Sequence, residues 1–449
     1  VASAGGRRHA TGRYPTHTTE SGYVPGDRRR GTLKDRREAA NTRTGAIIRQ
    51  VKPQLVAVAA ALEVRSGMLP NLILHSAPAI AWDDMCGPHK HGVIGAALWE
   101  GLASTPEEAE QKIRAGEILT APCHHHMAVG AGAGITSAST PMLVVENATF
   151  GNRAYSCISE GGGLRLLKWG AYDETVFRNL TWQAKVFAPV LKQALKAAGP
   201  IDIRNIISRA VEMGDECHNR SIAATAQFLK EIYGHLMAVD MPAEDVRASI
   251  KFLVESEHFF LHAIMAAAKS MLVPAEGIEY STIVTAMARN GVEFGIKVSG
   301  LGDQWFIAKA NPVRGLFFRA EWNDSNAAPD LGDSAITETI GLGGFIQPAA
   351  PTVTQYVQAT MQQAIANTHD MLSICHGTNP DVRIPAMDFA PGPIGIDIRK
   401  VVQTGITPLL DTAITHKEGG LIGAGEVHAP LACFELALRA FGQSLQGAA

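Results

Sequence analysis

The chain has 449 residues, 46% of them apolar and 18% charged, with a formal net charge of −3. This composition predicts a globular protein of several domains with a substantial core, and the near-neutral charge excludes a general affinity for nucleic acid or a membrane surface. No apolar run reaches the roughly 18–20 residues of a membrane span, and six cysteines in this length do not make a disulfide framework, so a reducing, cytoplasmic setting is expected.

Residues 1–44 are rich in Arg, Gly, Ser and Thr, and Arg28-Arg29-Arg30 and Arg36-Arg37 give them a positive bias. They lack the apolar core of a secretory signal. They are expected to be a leader outside the fold, either a disordered tail or residues translated upstream of the true start. From Ala46 onward the pattern is that of a folded chain. Residues 55–62 are an apolar run, 71–75 read as a strand, and a helix is expected from about 93 to 102. Thr105-Pro106-Glu107-Glu108 signals a helix start, with a capping hydroxyl, proline at the first helical position and a capping-box glutamate. Residues 142–146 and 153–159 read as strands around glycine-rich turns.

The pattern turns helical from about 172 to 272. Ile203, Ile206, Ile207, Ala210 and Val211 share one helical face, as do Ile222, Thr225, Leu229, Ile232 and Leu236. Residues 259–271 form a third apolar helix. After 277 strands, glycine-dense turns and helices alternate, and 353–372 reads as one long helix. The expected class is α+β, with two mixed α/β domains flanking a helical domain. The boundaries are 1–44 for the leader, 45–171 for the first α/β domain, 172–276 for the helical domain and 277–449 for the second α/β domain.

Three of the six cysteines are followed directly by histidine: Cys123-His124, Cys217-His218 and Cys375-His376. Such donors suit zinc, and Cys86-x-x-His89 has a compatible spacing. The metal alternative therefore draws on Cys123, His124, His126, Cys217 and His218, with a divalent cation as the cofactor. Adjacent residues point apart along a chain, however, and no paired Cys-x-x-Cys or His-Glu-x-x-His motif occurs. The leading expectation is no metal, with these groups hydrogen-bonded in a polar pocket.

Residues 214–220 join two amphipathic helices. Gly214 can end the first, and Asp215 or Asn219 can cap the second. The exposed N–H groups of a helix start bind anions, and Arg220 beside them can grip a carboxylate or phosphate. Gly130-Ala131-Gly132-Ala133-Gly134, followed by Thr136, Ser137, Ser139 and Thr140, can cradle a phosphate, although it lacks the Gly-Lys-Ser/Thr ending of a nucleotide loop. Glu146, Asn147, Asn152 and Arg153 follow at a strand end. Arg289, Asn290, Glu293, Asp333-Ser334, Thr337-Glu338 and Asp397 with Arg399 are further candidates. His258 and His262, four apart on a helix, are expected to be ordinary core or surface histidines rather than ligands.

Five blocks carry a resemblance to a known family: APCHHHMAVGAGAGITSASTPMLVVENATFGNRAYSCISEG, MGDECHNRSIAATAQFL, TAMARNGVEFGIKVSGLGDQWF, PDLGDSAITETIGLGGF and GIDIRKVVQTGI. In order and spacing they resemble the AllG family, from about Asn41 to Phe441. The chain departs from the family in residues 1–40, where a strand–helix unit is usual, and at His262, where an amide residue is expected. The resemblance implies a subunit of an oxamate carbamoyltransferase, working with AllF-like (FdrA) and AllH-like subunits in allantoin and purine breakdown. The implied reaction interconverts oxalurate plus phosphate with oxamate plus carbamoyl phosphate.

That chemistry needs cations for phosphate and carboxylate, donors for an oxyanion and a group that moves the amide proton. Arg153 and Arg220 are assigned to anion binding, and Arg289 is a further substrate-binding candidate. His124, His125, His218 and Asp215 are candidate catalytic groups, and Cys217 is a candidate nucleophile. Asn147, Asn152, Asn219 and Asn290 are expected to position substrate. A metal-dependent hydrolase of a ureido or amide bond and a non-catalytic scaffold are the alternatives. Asn41-Thr42-Arg43-Thr44 only superficially matches the Ser-x-Arg-Thr loop of aspartate and ornithine carbamoyltransferases.

Overall fold

A computed structural model describes residues 32–64 and 67–446. The leader expectation for 1–31 lies outside the described residues. For residues 32–44 the structure differs from expectation, because they open the helix Leu33–Gln50. Thr32 caps it by accepting from the Asp35 amide, and the Asp35 carboxylate accepts from the Thr32 amide in return. Asn41 and Thr44 are fully buried on its inner face. The polar composition of this stretch conceals a helix that docks through side-chain hydrogen bonds rather than an apolar stripe. Asn41 Nδ2 donates to Thr282 Oγ1 at 2.9 Å and to Asp397 Oδ2 at 3.2 Å, and the Thr282 amide donates to Asn41 Oδ1 at 2.8 Å.

The apolar run after it forms the strand Pro53–Ala60. It pairs antiparallel with Pro141–Asn147, and the latter pairs with Arg153–Cys157, in a five-stranded sheet. Leu72–His75 pairs in parallel with Leu119–Pro122. The expected helix near 93–102 runs Gly87–Trp99, and the Thr105 cap starts Pro106–Ala115. The helical stretch contains Glu174–Trp182, Ala188–Ala198, Ile203–Glu212, Ile222–Met237, Ala243–Glu255 and Leu261–Leu272. Every residue of the last is buried, His262, Lys269 and Ser270 among its apolar side chains.

The C-terminal part holds a four-stranded sheet around Val284–Asn290 and Glu293–Val298. A three-stranded sheet orders Arg314–Phe317, Leu421–His428 and Leu409–Thr415. The structure is α+β. Its largest apolar cluster is continuous across the chain, joining Val58 and Leu143 to Phe187, Phe228 and Phe260, and these to Ile296 and Ile414. The expected long helix at 353–372 is two helices, Val353–Tyr356 and Met361–Ile374. Gln358 between them takes the left-handed conformation, with φ +56°, and Thr360 caps the second. Among the described residues no helix is long and apolar enough to cross a membrane.

Candidate functional site

The helical stretch and the three-stranded sheet meet around a cavity of about 320 Å³. His218, Asn219 and Arg220 line it from the loop between the helices Ile203–Glu212 and Ile222–Met237. Lys168 and Trp169 line it from a short helical turn, Ser334 and Thr412 from the floor, and Phe318 and Tyr356 from the rim. Ala131 and Gly132 bring part of the glycine run to the wall.

The loop is held from beneath by Glu216. This buried side chain accepts from the backbone amides of His218, Asn219 and Arg220, the last at 3.0 and 3.1 Å. Burial, with Asp411 next in effect, pushes its carboxyl well above the usual range. Cys217 takes φ +68° to make the turn. The result presents His218, 4% exposed, with its Nδ1 2.6 Å from Glu338 Oε1. Glu338 Oε1 also accepts from the amides of Gly344 and Asp411, each at 3.2 Å, and Oε2 accepts from Thr337 Oγ1 at 3.0 Å. A carboxylate taking so many donors is an acceptor toward the imidazole as well, so His218 Nδ1–H donates to it. The tautomer leaves Nε2 as the basic nitrogen for the cavity.

Two cations share this space. Arg220 Nε donates to Gly214 O at 2.9 Å and pairs with Asp215 Oδ1 at 3.4 Å. Lys168 is buried, and burial pulls its ammonium below the usual lysine range against the opposing effect of Glu160. Glu160 positions it by accepting from the amides of Leu167 and Lys168 at 2.6 and 2.8 Å. Gly132 lets the opposite loop close on this turn. At φ +59°, a Cβ there would stand 2.4 Å from Lys168 O.

Arg289 organises the floor without lining the cavity. It is fully buried and forms an ion pair with Asp330 at 2.8 Å. It donates to Ser334 Oγ at 3.2 Å and to Thr412 Oγ1 at 2.7 Å, orienting both hydroxyls. Asn219 Nδ2 donates to the carbonyls of Thr412 and Gly425, tying the loop to the three-stranded sheet.

The cavity thus collects His218, Asn219 and Arg220, with Arg289 behind them. Other expected site residues lie elsewhere or do other work. Asp215 caps the second helix, accepting from the Ala224 amide at 2.8 Å, so that part of the helix start is already occupied. Burial pushes its carboxyl up to about 6. Cys217 does not line the cavity, and burial, followed by the charges of Asp215 and Glu216, pushes its thiol well up, which disfavours a thiolate nucleophile. Arg153 pairs with Glu146 at 2.6 Å, its cross-strand neighbour, on the exposed side of a hairpin. Asn147 and Asn152 bond each other at 2.8 Å and both donate to Ser270 O. Asn290 shapes a hairpin turn, accepting from the amides of Val292 and Glu293.

His124 is buried 3.7 Å from Asp333, His125 is exposed beside it, and neither lines the cavity. Cys123 donates to Gly134 O at 3.2 Å, and burial pushes its thiol well up. Among the described residues no group of three or more His, Cys, Asp or Glu side chains is arranged to hold a metal ion. The Cys123, His124 and His126 segment and the Cys217-His218 loop therefore form no joint ligand set. Lys168 and Thr412 carried no signal in the sequence, and Glu216 lay within the 214–220 segment without its clamping role being legible. His258, singled out beside His262, lines the cavity while His262 packs near Ser156 and Cys157.

Residues 118–334 match the family described as "Oxamate carbamoyltransferase subunit AllG". The chain is 43% identical over 403 residues to "Oxamate carbamoyltransferase subunit AllG" of Escherichia coli (strain K12), covering 89% of this chain and 96% of that protein. It is also 43% identical over 408 residues to "Uncharacterized protein YahG" of the same strain, covering 90% of this chain and 86% of that protein. The crystal structure of a conserved protein of unknown function from Enterococcus faecalis V583 superposes with a TM-score of 0.90 at 41% identity, covering 92% of this chain and 99% of that one. The chain belongs to the AllG family.

Proposed function

We propose that this chain is a subunit of a carbamoyltransferase and that its cavity takes part in interconverting oxalurate plus phosphate with oxamate plus carbamoyl phosphate. The observation that carries this reading is the His218–Glu338 pair, 2.6 Å apart, in a cavity shared with Lys168 and Arg220. Family membership supports the choice of reaction, and the residue chemistry supports the roles.

In the oxalurate direction, a phosphate oxygen attacks the ureido carbonyl and the bond from that carbon to the oxamate nitrogen breaks. The proton carried by hydrogen phosphate ends on the departing nitrogen. His218 Nε2 is suited to take it and pass it on, with Glu338 stabilising the imidazolium in between. Lys168 and Arg220 supply charge for the phosphate and for the carboxylate of oxamate. The Ser334 hydroxyl, which accepts from Arg289, is a donor for a substrate carbonyl, while the Thr412 hydroxyl is spent on Asp330 Oδ1 at 3.0 Å. In this reading Cys217 carries no carbamoyl group and the site works without a metal. AllF-like and AllH-like subunits complete the enzyme, which serves allantoin and purine breakdown in the cytoplasm.

Reconstitution tests this. The purified chain mixed with AllF-like and AllH-like subunits should form carbamoyl phosphate from oxalurate and phosphate. Arg220→Gln should raise the KM for an anionic substrate by roughly tenfold or more, the worth of one charge-assisted hydrogen bond. A variant indistinguishable from the parent would assign the chain a scaffold role instead.

A further inference from the structure

Asp333 stands next to the cavity residue Ser334, but its carboxylate turns away and accepts from the amides of Ala77 and Gly130 at 2.8 and 3.0 Å. On that side lies a group of polar side chains that the proposed reaction does not use. His124 is 3% exposed, and neither of its ring nitrogens has a hydrogen-bond partner. Its ring meets Trp305 edge to face, with centroids 5.3 Å apart, and the buried Trp305 Nε1 also lacks a partner. Burial keeps the His124 imidazole neutral, with one N–H, and Asp333 stands 3.7 Å from its Nε2, beyond hydrogen-bond range. Buried donors are rarely left without an acceptor, so this N–H and the Trp305 indole N–H, side by side, point to a missing ligand.

The charge at this place comes from two lysines on different elements. Lys297, on the strand Glu293–Val298, is buried and lies 5.4 Å from the Trp305 ring centroid. Lys269, on the helix Leu261–Leu272, is 2% exposed, and its ion-pair partner Glu276 stands 3.9 Å away, beyond hydrogen-bond range. Lys297 pairs with Asp303, whose side chain is 85% exposed. Asp303 is therefore a surface carboxylate seated on a buried ammonium, free to be exchanged for another oxyanion at small cost to the fold.

We propose that His124, Trp305, Lys269 and Lys297 form a second anion site, distinct from the cavity at His218, that takes a compact oxyanion in the place held by Asp303. A carboxylate is the chemistry Asp303 already displays there, and a phosphate presents the same acceptor oxygens. Two ammonium groups supply the charge, and the Trp305 indole and the His124 imidazole supply directional donors. The site does not depend on the carbamoyl-transfer reading, because none of its residues lines that cavity.

The chain has six tryptophans, so the indole N–H resonances of the full-length protein give a direct readout. The signal missing from Trp305→Phe identifies Trp305. Titration with acetate or with inorganic phosphate should shift that signal saturably, and the tighter of the two identifies the source of the oxyanion. Asp303→Asn, a surface change, should tighten binding, and Lys297→Met should weaken it roughly tenfold or more. Arg220→Gln should leave it unchanged. An unmoved indole signal, an equal response to chloride, loss of the shift in Arg220→Gln, or no gain of affinity in Asp303→Asn would each overturn the proposal.

Discussion

Gly343 fixes how closely the residues of the His218–Glu338 pair can be packed. It sits at φ +58°, and a Cβ there would stand 1.9 Å from Glu338 Oε1 and 3.0 Å from His218 Cβ. Gly343→Ala is therefore expected to destabilise the fold by about 1–3 kcal/mol through overcrowding. Denaturant unfolding checks this, and a midpoint equal to that of the parent would contradict the packing described. At this scale the sequence was only partly legible. The Cys217-His218 adjacency marked a loop that reaches the cavity, where the histidine lines the wall and the cysteine makes the turn. Arg153 was misread because its partner, Glu146, faces it across a hairpin, a pairing set by register. Lys168 left no trace, since its role follows from the Glu160 clamp and the approach of Gly132.

Helices with an apolar stripe were legible from periodicity alone. The inner face of Ile203–Glu212 is the one its spacing predicts. Ile222 departs from the stripe expected for the next helix because it faces the cavity. Leu33–Gln50 escaped notice because its docking is polar. Asn41 satisfies the Thr282 amide and hydroxyl and ties them to Asp397, three groups distant in sequence. Removing it leaves a buried amide without a partner, so Asn41→Ala is expected to cost about 1–3 kcal/mol. Thermal unfolding with the parent as reference measures it. A loss within error would mean that the helix is not held this way. The break at Gln358 was equally hidden, since no Gly or Pro marks it.

At the scale of the molecule, burial couples stability to pH. It raises the Asp333 carboxyl from its ordinary 3.8 to about 7. Between those values the native state holds a proton that the unfolded chain has released, so this group's contribution to stability falls as pH rises through that window. Asp215, pushed up to about 6, acts in the same direction. Asp333→Asn should remove part of the slope, so the stability difference from the parent changes steadily across the window. Parallel pH profiles would contradict the assignment.

The α+β class was legible from the order of periodic segments. The meeting of Lys168, His218, Ser334 and Thr412 was not, because residues so distant in sequence converge only in the packed fold. That convergence is the central claim, and its most direct test is the turnover of His218→Gln in the reconstituted mixture with AllF-like and AllH-like subunits. The account predicts that kcat for carbamoyl phosphate formation from oxalurate falls by ~10²-fold or more with the fold intact. An unchanged kcat would contradict it.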